Sequence, residues 1–223
     1  MTEPVIEQFS DDIDITYVHE PRTGIVRARN KAIETFLQTD STWLTFMDDD
    51  EIIDAGWLAA MVDAIAKLPE ARAFFGHVTV RWPEGTNRLL SERKLPGQSQ
   101  FGAPRSSTTT QNLMLHRELL SDDGRAMRFD LRLNTIGGSD VLLTRTLTLS
   151  GVTIHLVPNA RTTEIIPDTR ASLAFQAQKR IAQAHHAGLI ALILYGRRKG
   201  HLINLGIVAQ SAVQMVMFSV FGG

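Results

Sequence analysis

The sequence predicts an α/β fold, a sheet with helices on both faces. Three observations carry this reading. Short apolar, strand-like runs alternate along the chain with segments whose apolar residues recur at helical spacing. Glycine or proline closes the helical segments, as at Pro69, Gly151 and Gly188. A length of 223 residues with 43% apolar and 21% charged side chains is enough for one core of ordinary size.

Taken in order, residues 13–18 read as a short strand. Residues 24–37 read as a helix with Ile25, Ala28, Ala32, Ile33, Phe36 and Leu37 on one face. Residues 43–47 form an apolar run that stops at three aspartates, as a buried strand delivering a loop would. Residues 57–68 are helical, with Trp57, Leu58, Met61, Val62, Ile65 and Leu68 in phase. Residues 73–82 are a strand and 83–110, rich in Gly, Pro, Ser and Thr, are mostly loop. A strand at 113–115 follows, then a helix over 141–149 opened by Gly137-Gly138 with Ser139 as its N-cap. Residues 152–157 and 161–166 read as two strands, and 171–186 as an amphipathic helix.

Composition excludes several classes. With 23 Lys and Arg against 24 Asp and Glu, the chain lacks the basic excess of a dedicated nucleic-acid binder. Without cysteine it has no disulfide framework, thiolate zinc site or cysteine nucleophile. The acidic N-terminus has no long apolar core and is not a secretory signal. The C-terminus is apolar over 187–196 and 202–221, with Arg197-Arg198-Lys199 between and Asn204, Gln210, Ser211, Gln214 and Ser219 as polar breaks. Three arrangements are open to it: an interfacial helix, a span or re-entrant hairpin, and a helix packed on the domain. The basic cluster favours the cytoplasmic face of an anionic membrane. The expected division is a domain over 1–186 and an apolar, membrane-associated helical segment over 187–223.

Three constellations could do chemistry. Asp48-Asp49-Asp50-Glu51 follows the apolar run 43–47, and four adjacent carboxylates repel unless solvent or a cation relieves them. Hard oxygen ligands suit Mg²⁺ or Mn²⁺, ions that usually accompany phosphate. Gly24 opens a helix that carries Arg27 and Arg29 in its first turns, an arrangement that suits phosphate. Gly137-Gly138 lets the backbone approach a ligand closely, and Asp140 follows at a helix N-terminus, a place that suits a carboxylate and a general base. Each also has an ordinary structural explanation: an acidic turn, solvated arginines, a helix cap. His185, His186 and His155 read as structural or surface residues.

Together these pieces resemble the inverting family 2 glycosyltransferases of GT-A fold, and within them the succinoglycan-type exopolysaccharide transferases. The chain has, in the family's order, Glu20-Pro21, Gly24-Ile25, Ala28-Arg29-Asn30, Phe46, Asp48-Asp49-Asp50-Glu51, Trp57-Leu58, Asn112, Phe129-Asp130, Gly137-Gly138, Asp140, Glu164, Pro167 and Arg170. The match runs over residues 15–180. The resemblance implies a GT-A, Rossmann-like sheet and transfer of a sugar from a nucleoside-diphosphate sugar to a hydroxyl of a glycan or lipid-linked acceptor at the inner face of the plasma membrane. It implies that Asp50 ligates Mn²⁺ or Mg²⁺ on the diphosphate, with Asp48 at the ribose or the metal. Arg29, Asp49, Gly137 and Gly138 lie near the nucleotide-sugar, and Asp140 is the catalytic base. Ser139 stands where the family has glutamate, and residues 176–180 read QAQKR instead of the processive Gln-x-x-Arg-Trp, which favours addition of one sugar. Only a short segment precedes Gly24, so the fold is expected to lack the family's first strand-helix-strand. A non-catalytic remnant that binds a glycan or partner at a membrane is the alternative, and a nucleotidyltransferase on a related sheet is the third.

Overall fold

The computed structural model describes residues 13–87, 90 and 100–221, and the side chains of the final helix as far as 206. Residues 13–18 are irregular where a strand is predicted: Ile13, Tyr17 and Val18 stay exposed and pair with no strand among the described residues, and Glu20 folds back onto Arg22 in a local turn. α1 (Ile25–Leu37) buries Val26, Ile33 and Phe36. Its buried face is one residue out of the predicted stripe, leaving Ile25 exposed, because Arg29 and Asn30 occupy the inward stripe between Val26 and Ile33. Asn30 has a reason to be there. Its side chain donates to Phe129 O and accepts from Phe129 N–H, both at 2.9 Å.

β1 (Trp43–Phe46) ends at the aspartates, and β2 (Glu51–Ile53) begins directly after them. α2 (Trp57–Lys67) and β3 (Ala73–Arg81) follow, then the two-residue β4 (Pro104–Arg105), β5 (Leu113–His116) and the single turn α3 (Arg117–Leu120). α4 (Ser139–Leu149) leads into β6 (Ile154–Ile165). The sheet order is β1-β5-β3-β6-β2, with β4 added to β6. β3 and β6 run parallel and the other pairs antiparallel. The two predicted strands at 152–157 and 161–166 are one strand. The register opposite β3 jumps between Gly76 and His77, so residues 158–160 bulge out without ending the pairing.

Two apolar layers sandwich the sheet. Val26, Ile33, Phe36, Phe46, Leu113, Leu115, Phe129, Leu143 and Leu147 fill one face, and Met61, Ala64, Phe74, Met114 and Val157 the other. β5 shows why: Leu113 and Leu115 face one layer and Met114 the other, so this apolar run feeds both.

A buried polar knot sits where the sheet bends. Asn112 is fully buried with φ 58°. It accepts from Trp57 Nε1 at 2.7 Å and donates to Ala160 O in the bulge at 2.9 Å, while its own carbonyl accepts from Gly76 N–H at 2.9 Å. Gly76 has no room for a side chain, since a Cβ would lie 2.2 Å from Asn112 Nδ2.

The last helix, α5 (Leu173–Phe221), is broken at Gly196 (φ 72°, ψ 174°) into two arms. The helix predicted to end before Gly188 runs through it. Gly188 serves instead as a close-packing site, its carbonyl accepting from Asn204 Nδ2 at 3.2 Å, and Gly200 lies against Leu192. The arms therefore fold back on each other as a hairpin. The first arm packs on the domain through Ile190, buried with Leu133 and Leu142. Among the described residues, no helix is long and apolar enough to cross a membrane.

Asn112→Ala is expected to cost about 3 kcal/mol, because it strands the Trp57 N–H and the Ala160 carbonyl in the interior. Urea unfolding checks it; a loss below about 1 kcal/mol would mean that water replaces the side chain.

Candidate active site

The triple aspartate is held from behind. Asp48 N–H donates to Glu51 Oε2 at 3.3 Å, and Thr162 Oγ1 donates to Glu51 Oε1 at 3.1 Å, so Glu51 ties the loop to β6. At the other end of the loop, Ile165 N–H donates to Asp50 O at 3.2 Å. Glu51 is thus a structural carboxylate. Burial raises its pKa, and the two hydrogen bonds it accepts oppose that rise.

In front, the carboxylates meet arginines. Asp48 Oδ1 lies 3.5 Å from an Arg29 guanidinium nitrogen, and Asp50 Oδ2 lies 3.5 Å from Arg170 Nη1. The Arg29 side chain is only 14% exposed and stacks over the Phe129 ring with its guanidinium carbon 5.6 Å from the centroid. Phe129 in turn meets Phe46 edge-on at 5.5 Å, so the last residue of β1 and the arginine share one aromatic support. Asp49 is exposed and takes no part in these contacts.

Burial pushes the Asp48 carboxyl above its usual range; Arg29 opposes this, and Asp50, Asp140 and Glu164 add to it. The structure therefore brings Asp50 and Asp140 each within electrostatic reach of Asp48, although about 90 residues of sequence separate Asp48 from Asp140. Glu164 joins them from β6, where it pairs in register with Glu51.

Gly137 and Gly138 have φ 101° and 80°, and Gly138 occupies the N-cap of α4. Ser139, expected as the cap, is instead the first helical residue and is 2% exposed; the left-handed glycine before it has already turned the chain. Asp140 sits in the first turn, its Oδ1 accepting from Val141 N–H at 2.8 Å. Across the glycines lies a residue given no site role from sequence. A Cβ on Gly137 would fall 2.7 Å from His186 Cε1, and one on Gly138 would fall 3.1 Å from both His186 Cβ and Ile190 Cδ1. The first arm of α5 thus roofs the turn that carries Asp140. The adjacent histidines were visible in sequence, but nothing in their spacing points to a turn some 50 residues earlier.

Among the described residues no three His, Asp or Glu side chains form a ready-made metal site. Asp48 and Asp50 supply two carboxylates. Such a set fits an ion that completes its shell with diphosphate oxygens and water. A cleft of about 450 Å³ lined by Lys67, Arg72, Arg125 and His155 lies beside the start of β6, the end remote from Glu164. None of the residues named above lines it.

The raised pKa of Asp48 has a signed consequence. The folded state holds this proton more tightly than the unfolded state, so ionisation weakens the fold. The penalty appears as pH rises from the unfolded carboxylate range through the raised folded value and is full above it. Without metal, Asp48→Asn is expected to melt higher than the unsubstituted chain at pH 7.5, with the difference shrinking toward pH 4. Thermal unfolding in EDTA at both pH values checks this, and a lower melting point at pH 7.5 overturns it.

Comparison with known proteins agrees with this geometry. Residues 1–132 match the domain described as Glycosyl transferase family 2. The succinoglycan biosynthesis protein ExoM of Rhizobium meliloti (strain 1021) is 33% identical over 199 residues, covering 86% of this chain. The chain spans 61% of that relative's length. Among solved structures, S. aureus TarS 1-349 in complex with UDP-GlcNAc superposes over 99% of this chain and 63% of its own, with TM-score 0.62 at 14% identity. GalNAc-T7 with UDP, GalNAc and Mn²⁺ covers 74% of this chain and 36% of its own, with TM-score 0.52 at 16% identity. The mixed sheet is that of the GT-A fold, and with its acidic loop and matched domain the chain belongs to glycosyl transferase family 2.

Proposed function

We propose that this chain is a metal-dependent, inverting glycosyltransferase. It moves a sugar from a nucleoside-diphosphate sugar to a hydroxyl of a glycan or lipid-linked acceptor in polysaccharide biosynthesis. The observation that carries the reading is the convergence of Asp48, Asp50 and Asp140, with Arg29 and Arg170 set against two of them. The kinship with ExoM, and neighbours solved with UDP, UDP-GlcNAc or Mn²⁺, support the choice of substrate class and cation.

Asp50 and Asp48 would hold Mn²⁺ or Mg²⁺, which supplies charge stabilisation for the departing diphosphate. The rest falls to the chain. Arg29 and Arg170 face the diphosphate and offset its negative charge without a proton transfer. The Gly137-Gly138 turn, packed against His186 and Ile190, sets Asp140 in the first turn of α4. Asp140 takes the proton of the acceptor hydroxyl. That oxygen bonds to the anomeric carbon from the face opposite the leaving group. The bond to the diphosphate breaks with its electron pair on the diphosphate oxygen, and the configuration inverts. The transition state has oxocarbenium character, so charge placement matters more than covalent help.

Three protein samples test this: the unsubstituted chain, Asp140→Asn and Asp50→Asn, checked for folding by circular dichroism. Calorimetry with UDP and GDP, with and without Mn²⁺, is paired with nucleoside-diphosphate release from UDP- and GDP-sugars. Both substitutions are expected to lower turnover at least about 100-fold. Asp140→Asn should keep metal-dependent nucleotide binding, and Asp50→Asn should lose it. Full turnover in both variants refutes the mechanism. A folded chain that binds no nucleotide under any condition favours a non-catalytic, glycan- or partner-binding role, and pyrophosphate release from a nucleoside triphosphate favours a nucleotidyltransferase.

A further inference from the structure

We propose that the hairpin of α5 is a docking surface for an anionic lipid membrane, with its tip and the outer face of its second arm against the headgroups.

Charge makes the first argument. Beyond Asp168 the chain holds six of its 23 Lys and Arg residues, Arg170, Lys179, Arg180, Arg197, Arg198 and Lys199, and none of its 24 Asp and Glu. The 168 residues before that point therefore carry an acidic excess. A chain near neutrality as a whole is two oppositely charged parts, and the positive part is this helical hairpin with its short lead-in. A surface of negative headgroups attracts that part and repels the rest, which both binds and orients the molecule.

The fold then concentrates the charge. The break at Gly196 puts Arg197, Arg198 and Lys199 consecutively at the turn between the arms, all three exposed. Half-buried Tyr195 lies beside them, with Lys199 Nζ 5.1 Å from its ring centroid. An aromatic ring under a cation is a pairing suited to the boundary between headgroup and hydrocarbon.

The second arm supplies the apolar part. Gly200 and Asn204 face the first arm, as their contacts with Leu192 and Gly188 show. Arg198, Leu202 and Leu205, spaced four and three residues apart, share another stripe. Leu202 and Leu205 are 69% and 66% exposed. Two large apolar side chains in line with a cation, on a helix that buries neither, match an interfacial helix lying in the membrane plane. Among the described residues no helix is long and apolar enough to cross a membrane. The inference stands apart from the transferase reading, because vesicle binding needs neither donor nor acceptor.

Flotation of the full chain with vesicles tests it. The vesicles are equimolar phosphatidylglycerol and phosphatidylcholine, or phosphatidylcholine alone. The chain is expected to float with the anionic vesicles, weakly or not at all with neutral ones, and to be released by raised salt. Arg197→Gln, Arg198→Gln and Lys199→Gln together are expected to weaken anionic binding on the order of 100-fold. Leu202→Ser with Leu205→Ser is expected to weaken it at least about tenfold. Both variants alter exposed positions, and circular dichroism confirms folding. A chain that stays in solution with anionic vesicles overturns the proposal. So does a basic-cluster variant that floats as well as the unsubstituted chain, equal flotation with neutral vesicles, or tighter binding to a short DNA duplex than to anionic lipid.

Discussion

The side-chain amide of Asn112 is the constraint on which the rest of the molecule depends. It bonds α2 through Trp57 and the β6 bulge through Ala160, while its main chain holds Gly76 of β3. From Asn112 a line of hydrogen bonds continues through Thr162 to Glu51 and from Glu51 to the amide of Asp48. A fully used network of this kind specifies one arrangement, because every alternative strands a polar group away from water. The acidic loop is therefore held in place from the interior, behind the face that its carboxylates present.

That placement has an electrostatic cost. Asp48 is held partly out of water with three other carboxylates in range, and its pKa rises accordingly. The fold offsets the cost with arginines from distant places: Arg29 from α1, steadied by Phe129, and Arg170 from the turn after β6. Neither arginine is in tight contact with its carboxylate, so both cations and carboxylates remain available to a charged ligand. Sites that gather like charges in this way are typical of positions kept for binding over stability.

Much of this was legible in the sequence, and the exceptions have physical causes. The strand before the aspartates, α2 and the glycine-led α4 announce themselves by apolar spacing and by what stops them. The candidate site residues Asp48, Asp50 and Asp140 were legible as an ordered set, because each stands at the edge of a clear element: Asp48 and Asp50 after β1, Asp140 in the first turn of α4. β2 was not, because three residues with Ile52 and Ile53 exposed carry no pattern of burial. The stripe of α1 was misread because polar Arg29 and Asn30 sit on the inward face for reasons of contact. β6 looked like two strands because Pro158, Asn159 and Ala160 look like a turn, and only the partner strand reveals a bulge. Gly188 looked like a helix stop, whereas it makes room for a second helix that sequence periodicity cannot place. His186 reaches the Gly137-Gly138 turn only through the tertiary packing of Ile190.

The order of the strands has a mechanical meaning. β1 and β2 stand at opposite ends of the path through the sheet, yet only residues 47–50 join them. Four strand spacings across a flat sheet come to about 19 Å. The five steps from Phe46 to Glu51 reach at most about 18 Å when fully drawn out. No flat sheet can be joined this way, so the sheet must curl until its margins approach, and the aspartate segment is the tie that spans the gap. The carboxylates are thus mounted on a tight turn, closed by Glu51 N–H donating to Asp48 O at 3.3 Å, that joins the margins of a curved sheet. A turn this short ties the two margins together, so the carboxylates shift relative to β1 and β2 only as far as the sheet beneath them uncurls.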